Sequence, residues 1–137
     1  GMYLSTFKTT SKAINPQTPG IHNINLRASN FPASRKFYSD GIGFPIALEN
    51  DELFAFPVGS VFIVFKKAAD DAQFNPFTIG TDHIAIACES EEELNRIAKE
   101  LSDASIENTG LKLDSTLQKL YVAFKDPDRI QWEFYMV

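Results

Sequence analysis

The chain has 137 residues, of which 44% are hydrophobic and twelve are phenylalanine, a composition that predicts one globular domain. Its formal net charge of −5 argues against a nucleic-acid partner, because surfaces that bind nucleic acid are clustered and basic. No apolar run approaches the ~20 residues that span a membrane. The single cysteine, Cys88, fits a reducing compartment. We therefore expect a cytoplasmic protein that binds neither nucleic acid nor membranes.

The first segment of the chain, residues 1–19, is rich in Ser, Thr, Lys and Pro. Pro16, Pro19 and Gly20 break any regular structure at its end. We predict that this segment is a flexible tail with one helical turn around residues 7–14, and that the domain covers residues 20–137.

The first half of the domain begins with a strand pattern. Ile24, Leu26 and Ala28 alternate with polar residues, which is typical of a half-buried strand. Residues 30–39 then predict a helix capped by Asn30, with Phe37 on its apolar face. Three short strands are predicted near residues 45–49, 53–57 and 60–66. Four phenylalanines of these strands are predicted to be core residues: Phe54, Phe56, Phe62 and Phe65.

The second half repeats this order after a predicted linker over residues 68–80. A strand pattern runs from His83 to Cys88, and Ser90 with Glu93 forms the pattern of a capping box. A helix is predicted over residues 91–102, followed by strands at residues 107–113, 118–125 and 129–137. Three aspartates near these strands, Asp114, Asp126 and Asp128, are interpreted as turn residues.

The two halves are an internal repeat. Moving the second half back by 60 residues places His83 on Asn23, Cys88 on Ala28 and Ile97 on Phe37. One strand-rich module with one helix cannot cover its own sheet, so two modules must pack together. We predict an α+β fold of two βαβββ modules, at residues 20–67 and 81–137.

Two segments carry a resemblance to a known family. IHNINLRASNFPASRKFYSDGIGF (residues 21–44) is similar to the opening strand, capped helix, Phe-Tyr pair and glycine turn of the vicinal-oxygen-chelate superfamily, the glyoxalase/bleomycin-resistance protein/dioxygenase family. VAFKDPDRIQWEF (residues 122–134) resembles its closing hairpin, in which Asp-Pro-Asp-Gly precedes a strand that carries Glu. The resemblance implies an eight-stranded cup with helices outside, a small-molecule ligand inside, and a homodimer.

The resemblance also implies metal-ligand positions. Metal-using relatives take ligands from the first and last strands of each module, which correspond here to Asn23, a position near Val64, His83 and Glu133. An amide is a weak, neutral ligand, and no carboxylate is present near Val64. The four-ligand glyoxalase I pattern is therefore incomplete. We expect either one weakly bound divalent metal ion or no cofactor.

The residues themselves give separate reasons to single out His83 and Glu133. His83 shares a strand face with Ala85 and Ala87, whose small side chains leave space for a ligand. A simple alternative is a histidine at the edge of the core that bonds to backbone. Glu133 interrupts an apolar strand, which is costly unless the carboxylate is paired or metal-bound. The alternative is a solvated position at the edge of the sheet, or a salt bridge to Arg27 or to a lysine.

A set of polar residues on the two presumed open faces is predicted to bind substrate. Arg27 would clamp a carboxylate or phosphate, which favours an anionic ligand; the alternative is an exposed strand face. The full predicted set is Asn23, Asn25, Arg27, Gln131 and Tyr135.

Two functions of different classes follow. The first is a divalent-metal-dependent enzyme, of lyase, transferase or dioxygenase type, with Glu133 as a ligand or catalytic base. The second is a metal-free protein that binds and sequesters a small molecule or antibiotic without catalysis. Asn23 and Val64 favour the second function, whereas His83 with Glu133 favours the first.

Overall fold

The computed structural model describes residues 13–137, in which each half of the domain forms one βαβββ module. The predicted turn at residues 7–14 lies mostly outside the described residues. The first module comprises β1 Asn23–Ala28, α1 Phe31–Lys36 with a π-helical continuation Phe37–Ile42, β2 Leu48–Glu49, β3 Leu53–Val58 and β4 Val61–Lys67. The second comprises β5 Ile84–Cys88, α2 Glu91–Asp103, β6 Lys112–Asp114, β7 Lys119–Lys125 and β8 Gln131–Met136.

The two modules have the same strand topology. The first sheet has the order β1-β4-β3-β2 and the second the order β5-β8-β7-β6. In each sheet the first and last strands of the module pair in parallel, and the other pairs are antiparallel. The predicted α+β class with two repeated modules is confirmed. The eight strands form two four-stranded sheets.

Each sheet has one face in the core and one face that is open. In β1, Ile24, Leu26 and Ala28 are more buried than the polar residues between them. In β5, Cys88 is buried whereas Ala85 and Ala87 are exposed. The helices pack on the core face of the sheets, as α2 does against β5, β7 and β8. The open faces therefore carry the positions at which a site was predicted.

One aromatic core joins the two modules. The ring centroids of Tyr38 and Phe65 are 4.7 Å apart, and those of Tyr38 and Trp132 are 5.8 Å apart. Three of the four predicted core phenylalanines are buried: Phe54, Phe56 and Phe65. Phe62 is instead 42% exposed, because it lies opposite Asn23 on the open face of the first sheet.

The first helix differs from the prediction in its second half. Asn30 caps it as expected, since its side-chain oxygen accepts the backbone N–H of Ala33 at 3.1 Å. After Lys36 the helix widens into π-helical turns, which end at Gly43 with φ of 96°. A left-handed residue at this position favours glycine. The helical chain therefore extends beyond the predicted end at residue 39.

The edge strands are shorter than predicted, and one predicted helix cap is incomplete. β2 has only two residues and β6 only three, whereas longer strands were predicted at both places. Ser90 caps α2 through the backbone N–H of Glu93, but the carboxylate of Glu93 pairs with Arg96. The capping box is therefore only half formed. In the described part of the chain, no helix is long and apolar enough to span a membrane.

A buried hydrogen-bond chain links the modules at their centre. The indole Nε1 of Trp132 donates to the hydroxyl of Tyr38 at 2.8 Å, and that hydroxyl donates to Asp126 Oδ2 at 2.6 Å. Asp126 Oδ1 accepts the backbone N–H groups of Asp128 and Ile130. Burial raises the pKa of Asp126, while these hydrogen bonds act against that rise. Asp126 is thus both a turn residue, as predicted, and a buried acceptor between modules.

We expect Tyr38→Phe to lower the free energy of unfolding by about 2–4 kcal/mol, because the indole of Trp132 and the carboxylate of Asp126 both lose a buried partner. Chemical denaturation followed by Trp fluorescence measures this loss. Tyr121→Phe is the matched control, since its hydroxyl has no hydrogen bond among the described residues and the change should cost under about 0.5 kcal/mol. Equal stability of the two variants would contradict the role of the chain of hydrogen bonds.

Candidate functional site

A cavity of about 620 Å³ lies on the open face of the second sheet. Strands β5, β7 and β8 form its floor, and the β6–β7 hairpin forms a wall. The lining residues are His83, Ala85, Leu113, Asp114, Ser115, Leu117, Tyr121, Glu133 and Tyr135. This volume suits a small-molecule ligand.

His83 and Glu133 form the polar centre of this cavity. His83 Nε2 lies 3.3 Å from Glu133 Oε1, and His83 Nδ1 lies 2.7 Å from Asp82 Oδ1. Glu133 is directly opposite Ala85 in the β5–β8 register, and the methyl side chain of Ala85 leaves space beside the imidazole. The imidazole therefore lies between two carboxylates, and the hypothesis of a core-edge histidine bonded to backbone does not describe it.

Burial is the main influence on Glu133. Only 7% of the residue is exposed, and this burial raises the pKa of its carboxyl group. The neighbouring imidazole of His83 and the side chain of Gln131 lower that pKa and oppose the effect of burial. Glu133 makes no salt bridge with Arg27, which was the alternative raised by the sequence.

The wall of the cavity is tied to its floor by one hydrogen bond. The hydroxyl of Tyr135 donates to Asp114 Oδ2 at 2.7 Å, which raises the pKa of Tyr135 to about 12 and lowers that of Asp114. The ring of Tyr135 stacks on that of Tyr121, with centroids 6.0 Å apart. Leu113 and Leu117 are 57% and 54% exposed beside these rings. The wall is thus apolar, with one carboxylate at its base.

The predicted residues of the first sheet do not line this cavity. The amide of Asn23 accepts a hydrogen bond from Asn25 and contacts the ring of His22. Arg27 donates from Nη1 to the backbone carbonyl of Lys67 at 3.0 Å. Of the five predicted substrate-binding residues, only Tyr135 lines the cavity, while Gln131 contacts Glu133 from the side. Within one chain, Asn23 therefore does not join His83 and Glu133.

Several lining residues were not singled out in the sequence as ligand contacts. Strand parity could have found Tyr121, because Tyr121 and Ala123 share one face of β7, opposite Tyr135 and Glu133 on the same face of β8. Leu113, Asp114 and Leu117 belong to a hairpin whose register the sequence does not reveal. The proximity of Asp82 to the imidazole follows from its position next to His83.

His83 and Glu133 are suitable donors for a metal ion but do not complete a metal site. A separation of 3.3 Å suits two ligands that each hold one cation at about 2.0–2.2 Å. Among the described residues, however, no group of three or more His, Cys, Asp or Glu side chains could hold a metal ion. Val64, at the position where a carboxylate would be needed, lies opposite Asn25 in the first sheet. The donor set of one chain therefore does not fit the four-ligand centre.

Known proteins match this chain in sequence and in fold. An uncharacterized protein of Bacillus subtilis, YwkD, is 27% identical over 124 residues, which cover 84% of this chain and 94% of that protein. The glyoxalase family protein from Enterococcus faecalis is 26% identical with a TM-score of 0.71, over 85% of this chain and 97% of that one. The lactoylglutathione lyase from Agrobacterium tumefaciens is 17% identical with a TM-score of 0.72, over 88% and 96%.

The sequence model of one family covers nearly all of the two modules. It is that of the Glyoxalase/Bleomycin resistance protein/Dioxygenase superfamily, and it matches residues 20–134. The match includes both segments in which the resemblance was seen, and it includes His83 and Glu133. This chain therefore belongs to the Glyoxalase/Bleomycin resistance protein/Dioxygenase superfamily.

Proposed function

We propose that this protein binds a small molecule in the cavity of the second sheet, without the metal-dependent chemistry of a glyoxalase. The observation that carries the proposal is the contact of His83 Nε2 with Glu133 Oε1 at 3.3 Å on the floor of a cavity that also exposes leucine and tyrosine side chains. Ligand sites commonly combine apolar walls with a few placed polar groups. A nearly buried carboxylate beside an imidazole is costly for stability, and function is a common reason for such a cost.

The donor set argues against glyoxalase-type catalysis. At the four positions that relatives use for metal, this chain offers one imidazole, one carboxylate, one amide and an aliphatic side chain. The amide of Asn23 is also engaged with Asn25. The likeness to the Agrobacterium lyase concerns the fold, because the two sequences are only 17% identical.

We expect Ala85→Trp to abolish ligand binding, because an indole at this position would fill the floor of the cavity beside His83 and Glu133. A thermal-shift screen of a metabolite library against the wild-type protein identifies ligands, and isothermal titration measures their loss in the variant. Ala72→Trp is the matched control, since Ala72 is exposed in the connection between the modules. Ligands that bind both variants equally well would contradict this site.

A second candidate is a metal-dependent enzyme, which the 3.3 Å spacing of the two donors favours. A divalent cation held by His83 and Glu133 would act as a Lewis acid on an oxygen of the ligand. Such a site would still need a further ligand from water, from the bound molecule or from a second copy of the chain.

We expect Zn²⁺ and Mn²⁺ to bind weakly, with Kd values in the micromolar range or above, because one chain supplies only two strong donors. Isothermal titration should show that His83→Ala removes this binding, whereas the matched control His22→Ala retains it. Stoichiometric metal that survives dialysis and is lost in His83→Ala would instead support the enzyme.

We also propose that two copies pair through the open faces of their first sheets. The open face of the first sheet exposes Leu48 (57%) and Phe62 (42%), and exposed apolar groups on one face are typical of interfaces. A two-fold dimer is the commonest closed assembly.

We expect light scattering to give twice the chain mass of 15.3 kDa at micromolar concentration. Phe62→Glu should shift the protein to the monomer while leaving it folded, because the ring of Phe62 is outside the core. Phe77→Glu is the control, since Phe77 is 92% exposed on the connection between modules and not on the proposed interface. A wild-type monomer at high concentration would contradict pairing.

A further inference from the structure

Apart from the imidazole of His83, the charged side chains that line the cavity are carboxylates. Glu133 lies on its floor and Asp114 at the base of its wall, and a third carboxylate, Asp82, lies behind the ring of His83. None of the described residues that line the cavity is a lysine or an arginine. A ligand in this cavity therefore meets a negative potential close to a nearly buried carboxylate.

Two lysines of the β6–β7 hairpin do not line the cavity. Lys119 is opposite Asp114 in the β6–β7 register, but its ammonium group donates to the backbone carbonyl of Val137 at 3.1 Å. Lys112 is opposite Tyr121 on the edge strand β6 and is exposed. Neither side chain lines the cavity, and Arg27 lies on the other sheet.

The remaining surface of the cavity is suited to an organic group. Tyr121 and Tyr135 stack with an interplanar angle of 14°, and both rings line the cavity. Aromatic faces attract cations because the electron density of the ring lies above and below its plane. Leu113 and Leu117 flank these rings and are half exposed, which leaves apolar area to be covered.

We propose that the cavity binds a compact organic cation, with its positively charged nitrogen next to Glu133 and its apolar part against Tyr121 and the leucines of the β6–β7 hairpin. This inference rests on the proposed function, because it concerns the ligand of the same cavity. It replaces the anionic ligand that Arg27 suggested, because no lysine or arginine lines the cavity to hold an anion. A cation would compensate the cost of burying the carboxylate of Glu133, whereas an anion would add to it.

Three aromatic probes of similar shape test the charge of the ligand: benzyltrimethylammonium, 2,2-dimethyl-3-phenyl-1-propanol and benzylsulfonate. NMR titrations follow the backbone amides of Ala85, Tyr121 and Glu133. We expect the ammonium compound to bind about tenfold more tightly than the alcohol, and the sulfonate not to bind. Raising the salt concentration should weaken the binding of the ammonium compound and leave that of the alcohol unchanged.

Charge-removing variants test which carboxylates are responsible. Glu133→Gln should lower the affinity for the ammonium compound by about tenfold, and Asp114→Asn by about two- to fivefold because that group is more exposed. Asparagine at position 114 can still accept the hydrogen bond of Tyr135, so the wall should be retained. Glu92→Gln, which removes the same charge from the exposed start of α2, is the matched control and should have no effect.

The outcomes separate this inference from the proposed function. Equal affinity for the ammonium compound and the alcohol, preference for the sulfonate, or no binding of any probe overturns the inference about charge. The proposed function survives any of these results if the library screen yields a ligand that Ala85→Trp excludes. Binding of the ammonium compound that persists in Ala85→Trp shows a different site and overturns both.

Discussion

The hydrogen-bond chain from Trp132 through Tyr38 to Asp126 is the interaction on which the arrangement of the two sheets depends. Trp132 and Asp126 belong to the second module and Tyr38 to the first, so the chain closes only when the modules pack against each other. All three groups are buried, and each would be costly without its partner. Aromatic packing supplies the attraction between the modules. The hydrogen bonds of Trp132, Tyr38 and Asp126 select one orientation among those that packing alone permits.

The same chain of hydrogen bonds also positions the candidate site, because Trp132 lies in β8. Trp132 and Glu133 are neighbours in this strand, so their side chains point to opposite faces of the sheet. Holding the indole of Trp132 in the core therefore holds the carboxylate of Glu133 on the open face. The second sheet could slide by one residue only by exposing Trp132 and burying Glu133 in the aromatic core, which would be very unfavourable. The separation of 3.3 Å between His83 and Glu133 thus depends on groups that never touch a ligand.

The sequence contained enough information for the modules and for the centre of the site, because both follow from local periodicity and from the repeat. Alternation in β5 and β8 assigned His83 and Glu133 to the open face, and their parallel pairing brought them together. The walls of the cavity depend instead on the register of the β6–β7 hairpin, which only long-range packing determines. Asp126 resembled an ordinary turn residue because nothing local reveals that Tyr38 reaches it from 88 residues away. The repeat also suggested that Asn23 would join His83, yet within one chain Asn23 remains on the first sheet.

The connection between β4 and β5 is less constrained by the fold than the strands are. From Ala68 to His83 it contains neither helix nor strand, and it is attached near its middle, where the backbone N–H of Phe74 donates to the carbonyl of Asp128 at 2.9 Å. The entropy of closing such a loop changes by only about 0.6 kcal/mol when its length doubles. Insertions and deletions on either side of Phe74 would therefore change stability little and leave both strand registers intact. In evolutionary terms, this connection is where the chain can change length while the two sheets and the cavity are inherited unchanged.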